Sequence, residues 1–306
     1  MSKQPIPAFR LTSLTSNRLD VKTILKKLDG ISSTLLCRSL GSRRELANSA
    51  APTGNELREI CNWLKATDPS AIHRRASQDF VCGTGEWVLR CPEWRAWLDS
   101  LQQCLWIHGI PGAGKTVLAS YIIGQLDEMC RAEKPETVDL FYYCHFSHNQ
   151  DESEPFLKWV LSQLCRRAKL VPAGIQECYN LDRGPTASDL LSGLADILGR
   201  YNRVYVTLDA VDESEDRSKI LSAIETLCTD SRFNKLQLLV TSREYSDIET
   251  SMKAIAKPLS MSNEFVQSDI RCYVSTSLHK DEYLRKWSRD LLDDIEESLA
   301  NGAKGM

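Results

Sequence analysis

No run of about 18 apolar residues occurs in this 306-residue chain, so nothing in it reads as a membrane-spanning helix. The opening stretch MSKQPIPAFRLTSLTSNRLD has no uninterrupted apolar core, so it is not a secretory signal. Cysteine pairing is also missing. The 11 cysteines are odd in number, scattered and never arranged as CxxC, and the five histidines do not complete a zinc set. Cys104, Cys144 and Cys228 sit inside apolar runs, as buried free thiols do in a reducing compartment. Charge of one sign is scarce too: the net charge is -3, which argues against a nucleic-acid-binding surface over the whole protein. There is no 20- to 50-residue repeat and no low-complexity tract. The expectation is a cytoplasmic protein with no membrane span and no nucleic-acid partner.

What is present is an ordinary soluble composition, 42% hydrophobic and 26% charged, in a chain long enough for one large or two medium domains. Val21, Ile24, Leu25, Leu28 and Ile31 have helical spacing. So have Leu57, Ile60, Cys61 and Leu64 after the polar linker GSRRELANSAAPTGN. Residues 1–78 read as an N-terminal helical region with a linker, and residues 79–306 as the main domain. Pro92 suits a first helical turn, with Trp94, Trp97, Leu98 and Leu101 on one face. From there strands and helices alternate. Strand candidates are CLWIH, VDLFYYCHF, RVYVTLD, LQLLVTS and a weak run at residues 255–259. Helix candidates start near Lys115, Pro155, Thr186, Glu215, Glu264 and Glu282. Near-continuous apolar strands alternating with helices predict an α/β fold, a parallel sheet covered on both faces. The short basic clusters His73-Arg74-Arg75 and Arg166-Arg167 read as solvated faces.

The stretch CLWIHGIPGAGKTVLASYII carries the chemistry. Gly109, Gly114, Lys115 and Thr116 fit G-x-x-x-x-G-K-[ST], with Pro111, Gly112 and Ala113 inside the loop and Val117 just after it. Glycines let successive N–H groups turn inward onto phosphate oxygens, and the following helix adds the positive end of its dipole. Lys115 supplies a point charge for the β- and γ-phosphates, and the Thr116 hydroxyl a ligand for Mg²⁺. Chance matches in a chain of this length are on the order of one in a hundred, and the strand before and helix after are the required context.

A phosphate loop needs an acidic partner, and RVYVTLDAVDE supplies Asp209 at a strand's carboxyl end, where it would hold Mg²⁺ mostly through water. A following acid would orient or deprotonate the attacking water, Glu213 first and Asp212 second; alternatively DESED is only a solvated helix start. LQLLVTSRE then brings Thr241, Ser242 and Arg243 to the same end. Arg243 either senses the γ-phosphate or pairs with a nearby acid. His145 and His148, in FYYCHFSHNQDES, read as structural.

In this order GTGEWVL, WIHGIPGAGKTVLASYII, VTLDAVDE and LLVTSRE resemble the fungal NACHT-type P-loop NTPases, more narrowly the nephrocystin-like N-terminal NTPase domain. The similarity runs from residue 79 to the end of the chain. ICNWLKATDPSAIHRRASQDF looks like the lead-in to that domain. The resemblance implies a three-layer αβα sandwich of the signal-transducing NTPase class with strand order 5-1-4-3-2. It makes Lys115 and Thr116 the nucleotide and Mg²⁺ residues, Asp209 the metal aspartate and Arg243 the sensor, and puts the segment around Thr84 and Trp87 near the adenine. It also implies a switch that self-associates, used in fungi for non-self recognition and cell death. Relatives continue into a winged-helix domain and ligand-sensing repeats, so the chain reads as a fragment or truncated product.

Two functional readings follow: a slowly hydrolysing ATP or GTP switch with Mg²⁺, or a binding-only nucleotide module. A small-molecule kinase would need an Arg-rich lid and an acceptor pocket, and neither stands out. Translocation on nucleic acid fits poorly with near-neutral charge.

Overall fold

Four largely apolar stretches and a short edge segment form one all-parallel sheet: β1 (Cys104–His108), β2 (Thr137–Tyr143), β3 (Arg203–Asp209), β4 (Leu236–Ser242) and, at the edge, β5 (Lys257–Ser260). The computed structural model describes residues 54–65, 67–132 and 136–303. The helix expected over residues 21–31 and most of the linker after it lie outside these. Strand order is β2-β3-β4-β1-β5, the order the resemblance implies. Because every neighbour is parallel, the carboxyl ends of β1, β3 and β4 finish on one edge. His108 pairs with Ser242, and Tyr143 with Asp209.

Alternate residues of each strand feed different cores, the period-2 consequence of the pleat. Trp106, Val206, Leu208, Leu238 and Val240 join the core under helices Ser153–Ala168, Ala187–Leu198 and Arg217–Thr229. Leu105, Ile107, Tyr205 and Leu239 join Trp94, Trp97, Ile122 and Leu126, from helices Pro92–Leu98 and Lys115–Ala132. Trp97 also donates its indole N–H to the Leu238 carbonyl at 2.9 Å, satisfying a polar atom inside that core.

Helix starts follow local capping chemistry. Thr186 and Asp189 close a capping box, Asn263 accepts from the Val266 amide, and Asp216 from the Ser218 amide. Two sequence expectations fail for local reasons. The helix expected near Glu282 begins at Arg289, because Asp281 accepts from the Tyr283 and Leu284 amides in a turn and Ser288 caps the helix proper. Leu101 does not share the face of Trp94 and Trp97. That helix ends at Leu98, Ser100 has φ 59°, and Leu101 is 74% exposed. Helices Ala173–Asn180 and Ser246–Ile255 carry no signal strong enough to be read beforehand.

Helices Gly54–Leu64 and Ser70–Gln78, which the sequence groups with the N-terminal region, pack within a compact unit spanning Pro52–Met306. Ile60, Cys61 and Leu64 are buried in the main core, and Ser162 Oγ donates to the Cys61 carbonyl at 2.9 Å. In the basic cluster Arg166 is half-buried and donates to Asn62, while Arg167 is exposed and donates to the Asp139 carbonyl. If Gly54–Leu64 is part of this core, Ile60→Ala costs about 2–4 kcal/mol in denaturant unfolding with one transition. An unchanged midpoint would make it a mere appendage.

Candidate functional site

Between β1 and the helix Lys115–Ala132 the chain wraps a tight loop. Gly112 and Gly114 have φ 79° and 82°, a region L side chains avoid, so the loop can turn its amides inward only with glycine there. At Gly109 the limit is space: an added Cβ would lie 2.7 Å from Met261 Cβ. Pro111 stands at the exposed tip and Ala113 is buried, while Val117 opens onto the adjoining cavity. Lys115 folds back across the loop, Nζ donating to the carbonyls of Gly109 at 2.8 Å and Ile110 at 2.9 Å. Burial lowers its pKa, opposed by the charges of Asp212 and Asp209. A phosphate oxygen is a stronger partner than either carbonyl, because it carries charge.

Asp209, 2% exposed, lies at the end of β3. Its Oδ2 accepts from Thr116 Oγ1 at 2.8 Å and its Oδ1 from Thr241 Oγ1 at 2.5 Å. Thr241 Oγ1 in turn accepts from the Ala210 amide at 3.0 Å. Burial pushes the Asp209 carboxyl up to about 6; the two threonine bonds pull it down and Glu213 and Asp212 push it further up. A hydroxyl beside a carboxylate is an all-oxygen donor pair, suited to a hard divalent cation such as Mg²⁺.

The next acids differ in their commitments. Asp212 is engaged by Arg243 through both oxygens: the Arg243 amide donates to Oδ1 at 3.0 Å, and Nε to Oδ2 at 3.1 Å. Glu213 accepts the Phe146 amide at Oε2, 3.1 Å away. Arg243 is therefore paired with an acid and also reaches Tyr245 Oη at 3.4 Å. Thr116, Asp209 and Thr241 come together directly, while Asp212, Glu213 and Arg243 form an adjacent group on the same edge.

Beside the loop lies a cavity of about 1000 Å³. Thr84, Gly85, Val117, Asp269, Tyr273 and Leu299 line it in part. Thr84 faces it; Trp87 stands behind, buried and stacked on Phe265. Asp269 Oδ2 accepts from the Gly85 amide at 2.8 Å and Trp87 Nε1 at 3.1 Å, tying helix Glu264–Lys280 to the lead-in turn. The sequence gives no signal for Asp269, an ordinary acid within an amphipathic helix. His148 and His145 make local contacts, to Glu152 and Ser147.

A model of the protein family described as "Nephrocystin 3, N-terminal" matches residues 83–243, more than half of the chain. Among curated proteins, the chain is similar to the vegetative incompatibility protein HET-E-1 of Podospora anserina. The two are 23% identical over 266 residues, covering 79% of this chain and 19% of that protein, so the chain spans less than a fifth of that relative. Among solved structures it is similar to the Aeropyrum pernix ORC1 protein in complex with DNA, at 14% identity and TM-score 0.41, covering 71% of this chain and 53% of that one. Cdc6p from Pyrobaculum aerophilum is similar at 14% identity and TM-score 0.42, with 67% and 52% covered. At such scores the fold rests on the strand order and register above.

The Asp209 shift has a measurable sign. A carboxyl whose folded pKa of about 6 exceeds its unfolded value near 3.8 holds its proton longer in the folded state. Its contribution to stability is therefore full below the unfolded value and lost as pH rises through 6. In protein free of metal and nucleotide, wild type loses roughly 2 to 3 kcal/mol relative to Asp209→Asn between pH 4 and pH 7. Urea unfolding of both across that range checks it; parallel pH profiles would refute it.

Proposed function

We propose, for a chain that belongs to the nephrocystin 3 N-terminal family, that the site binds ATP or GTP with Mg²⁺ and hydrolyses it slowly, as the switch step of a signalling protein. The observation that carries the reading is the Thr116–Asp209–Thr241 hydrogen-bond line at the foot of a glycine phosphate loop. A nucleotide-binding NTPase module is supported by this geometry together with the family match and the similarity to HET-E-1. Hydrolysis and switching are the further step.

In this reading the loop amides and Lys115 take the β- and γ-phosphates, Lys115 exchanging two carbonyl partners for charged oxygens. Thr116 and Asp209 would hold Mg²⁺, which when bound neutralises phosphate charge. Glu213, with one oxygen engaged by Phe146, takes the proton of the attacking water through the other. The new P–O bond forms at the γ-phosphorus as the bond to the β-bridging oxygen breaks. Arg243, held by Asp212, faces the developing charge. Self-association through this domain, and a place in fungal non-self recognition or cell-death signalling, belong to the same proposal. The similarity to HET-E-1, a vegetative incompatibility protein, is what points there.

The Asp212–Arg243 pair favours one second reading. An arginine already committed to an acid suits a module that holds nucleotide without turning it over. One experiment separates the two: binding and phosphate release measured with ATP and GTP, with and without Mg²⁺. Lys115→Ala abolishes binding, because the remaining loop contacts are neutral donors; unchanged affinity for a fluorescent nucleotide would sink the assignment. Glu213→Gln keeps binding and lowers phosphate release by about a hundredfold or more. Should Asp212→Asn alone stop release, the water-activating role passes to Asp212. Tight binding with no release by wild type establishes the holding module.

A further inference from the structure

The turn after β2, HFSHNQDES, contains a carboxylate that the reaction does not use. Glu152 is 0% exposed. Taking an ionised carboxylate out of water costs several kcal/mol unless its oxygens are hydrogen-bonded, so the partners indicate what it holds in place. Oε1 meets His148 Nδ1 at 2.5 Å. Oε2 accepts from Tyr142 Oη at 2.5 Å and from Gln150 Nε2 at 3.3 Å. Burial, then Glu152 itself, push the Tyr142 phenol up, so it stays protonated and donates. Tyr142 is also within 2.8 Å of Thr67 Oγ1 in the lead-in. Two partners of Glu152, His148 and Gln150, belong to the turn itself.

That turn is fastened to the acidic loop after β3. The Cys144 amide donates to the Asp209 carbonyl at 3.0 Å, and the Glu215 amide to the Gln150 carbonyl at 3.2 Å. The Glu152 amide donates to Ser214 Oγ at 3.1 Å, and Lys219 pairs with Asp151 at 3.3 Å. Between these points the Phe146 amide donates to Glu213 Oε2. The Phe146 ring is 70% exposed and stacks on its neighbour His145, within the same turn. The placement of that amide therefore depends on the turn, and the turn on Glu152 beneath it.

We propose that Glu152, together with His148, is a positioning residue for Glu213: through the turn it fixes the Phe146 N–H that holds one oxygen of Glu213 and leaves the other for water. This rests on the hydrolysis reading of Glu213. A loosened turn lets Glu213 leave its productive rotamer without disturbing the phosphate loop, so turnover suffers and nucleotide affinity does not. Misplacement of a reacting group by about 1 Å costs on the order of a hundredfold.

The test uses the full chain with Glu152→Met, which keeps volume but removes both carboxylate oxygens, and Glu152→Gln, whose amide oxygen keeps Tyr142 while its NH₂ can meet an unprotonated His148 Nδ1. Glu152→Met lowers single-turnover phosphate release by roughly 10- to 100-fold with nucleotide Kd within about twofold of wild type, and Glu152→Gln recovers most of the loss. In a Glu213→Gln background the same Met substitution has less than about twofold further effect, since both act through one group. An effect that is undiminished in that background, or a Kd that rises as much as turnover falls, overturns the proposal. Hydrogen exchange over residues 144–150 is read alongside. Exchange at the Phe146 amide rises about tenfold or more in both Glu152→Met and Glu213→Ala. If wild type releases no phosphate, the hydrolysis reading fails by itself and the exchange arm alone decides the positioning. An unchanged Phe146 amide in Glu152→Met then refutes it.

Discussion

A carboxylate buried at the end of a parallel strand is the constraint on which this site depends. Asp209 can lie at 2% exposure only because hydroxyls reach both of its oxygens. One comes from Thr116, in the helix after β1, and the other from Thr241, near the end of β4. Both arrive because β4 lies between β1 and β3, with Ile107 opposite Thr241 and Leu208 opposite Val240. The strand order thus has a direct chemical result. An antiparallel neighbour in place of β4 would bring an amino end, with no Thr241, to that edge. Thr241 does a second task by accepting the Ala210 amide where the chain turns through φ 58° out of the strand. The same hydroxyl therefore fixes both the buried carboxylate and the direction in which the acidic loop leaves.

Charge is distributed around that carboxylate so that no acid stands beside another without a donor. Asp209 has two hydroxyls, Asp212 the amide and Nε of Arg243, and Glu213 the amide of Phe146. Repulsion remains in the raised Asp209 carboxyl, to which Glu213 and Asp212 add after burial. Lys115 answers it from the phosphate loop, where Asp212 and Asp209 favour its charged form against the burial that opposes it. On the proposed reading, nucleotide phosphates would add negative charge to this arrangement, and a divalent cation at Thr116 and Asp209 would offset it. On the hydrolysis reading, nucleotide and metal therefore bind cooperatively. The cation would also weaken the reason for Asp209 to keep a proton, whereas the phosphate charge alone would strengthen it.

The parts of the site that are legible in the sequence are those whose chemistry needs a particular side chain. G-x-x-x-x-G-K-T is readable because two of its glycines adopt positive φ and a third abuts Met261. Asp209 is readable because an acid closing a run of buried strand residues has few other reasons to be there. The sheet is equally open, since its central strands are buried on both faces. Asp269 and the Phe146 amide are not legible. One is an ordinary acid paired across 184 residues with a backbone amide, and the other is itself a backbone amide, which leaves no mark on residue identity. The packing of Gly54–Leu64 into the core is hidden for the same reason, since its apolar stripe does not say against what it packs. Leu101 misleads because periodicity continues past the point where Ser100 breaks the helix.

The two ends of the site are built on opposite principles, and this bears on how it would discriminate ligands. At the loop after β1 the contacts offered to a phosphate would be backbone amides and the fixed charge of Lys115, beside rigid strand ends. At the other end the cavity of about 1000 Å³ is largely apolar, and its walls come from the lead-in, the loop after β1 with its helix, Met261 after β5, and helices Glu264–Lys280 and Arg289–Gly302. Asp269 joins two of these walls through the Gly85 amide and Trp87, and Gln267 joins the last helix by donating to the Ala300 carbonyl at 2.7 Å. Walls joined by a few side-chain contacts, such as the two bonds to Asp269 and the Trp87–Phe265 stack, open at lower cost than strand ends held by a sheet. Affinity would then reside in the phosphates, common to all nucleoside triphosphates, while the base meets the part of the molecule best able to yield. On the nucleotide-binding reading, selectivity between bases would depend on how firmly the Asp269 tie holds the lead-in turn against helix Glu264–Lys280, rather than on the loop after β1.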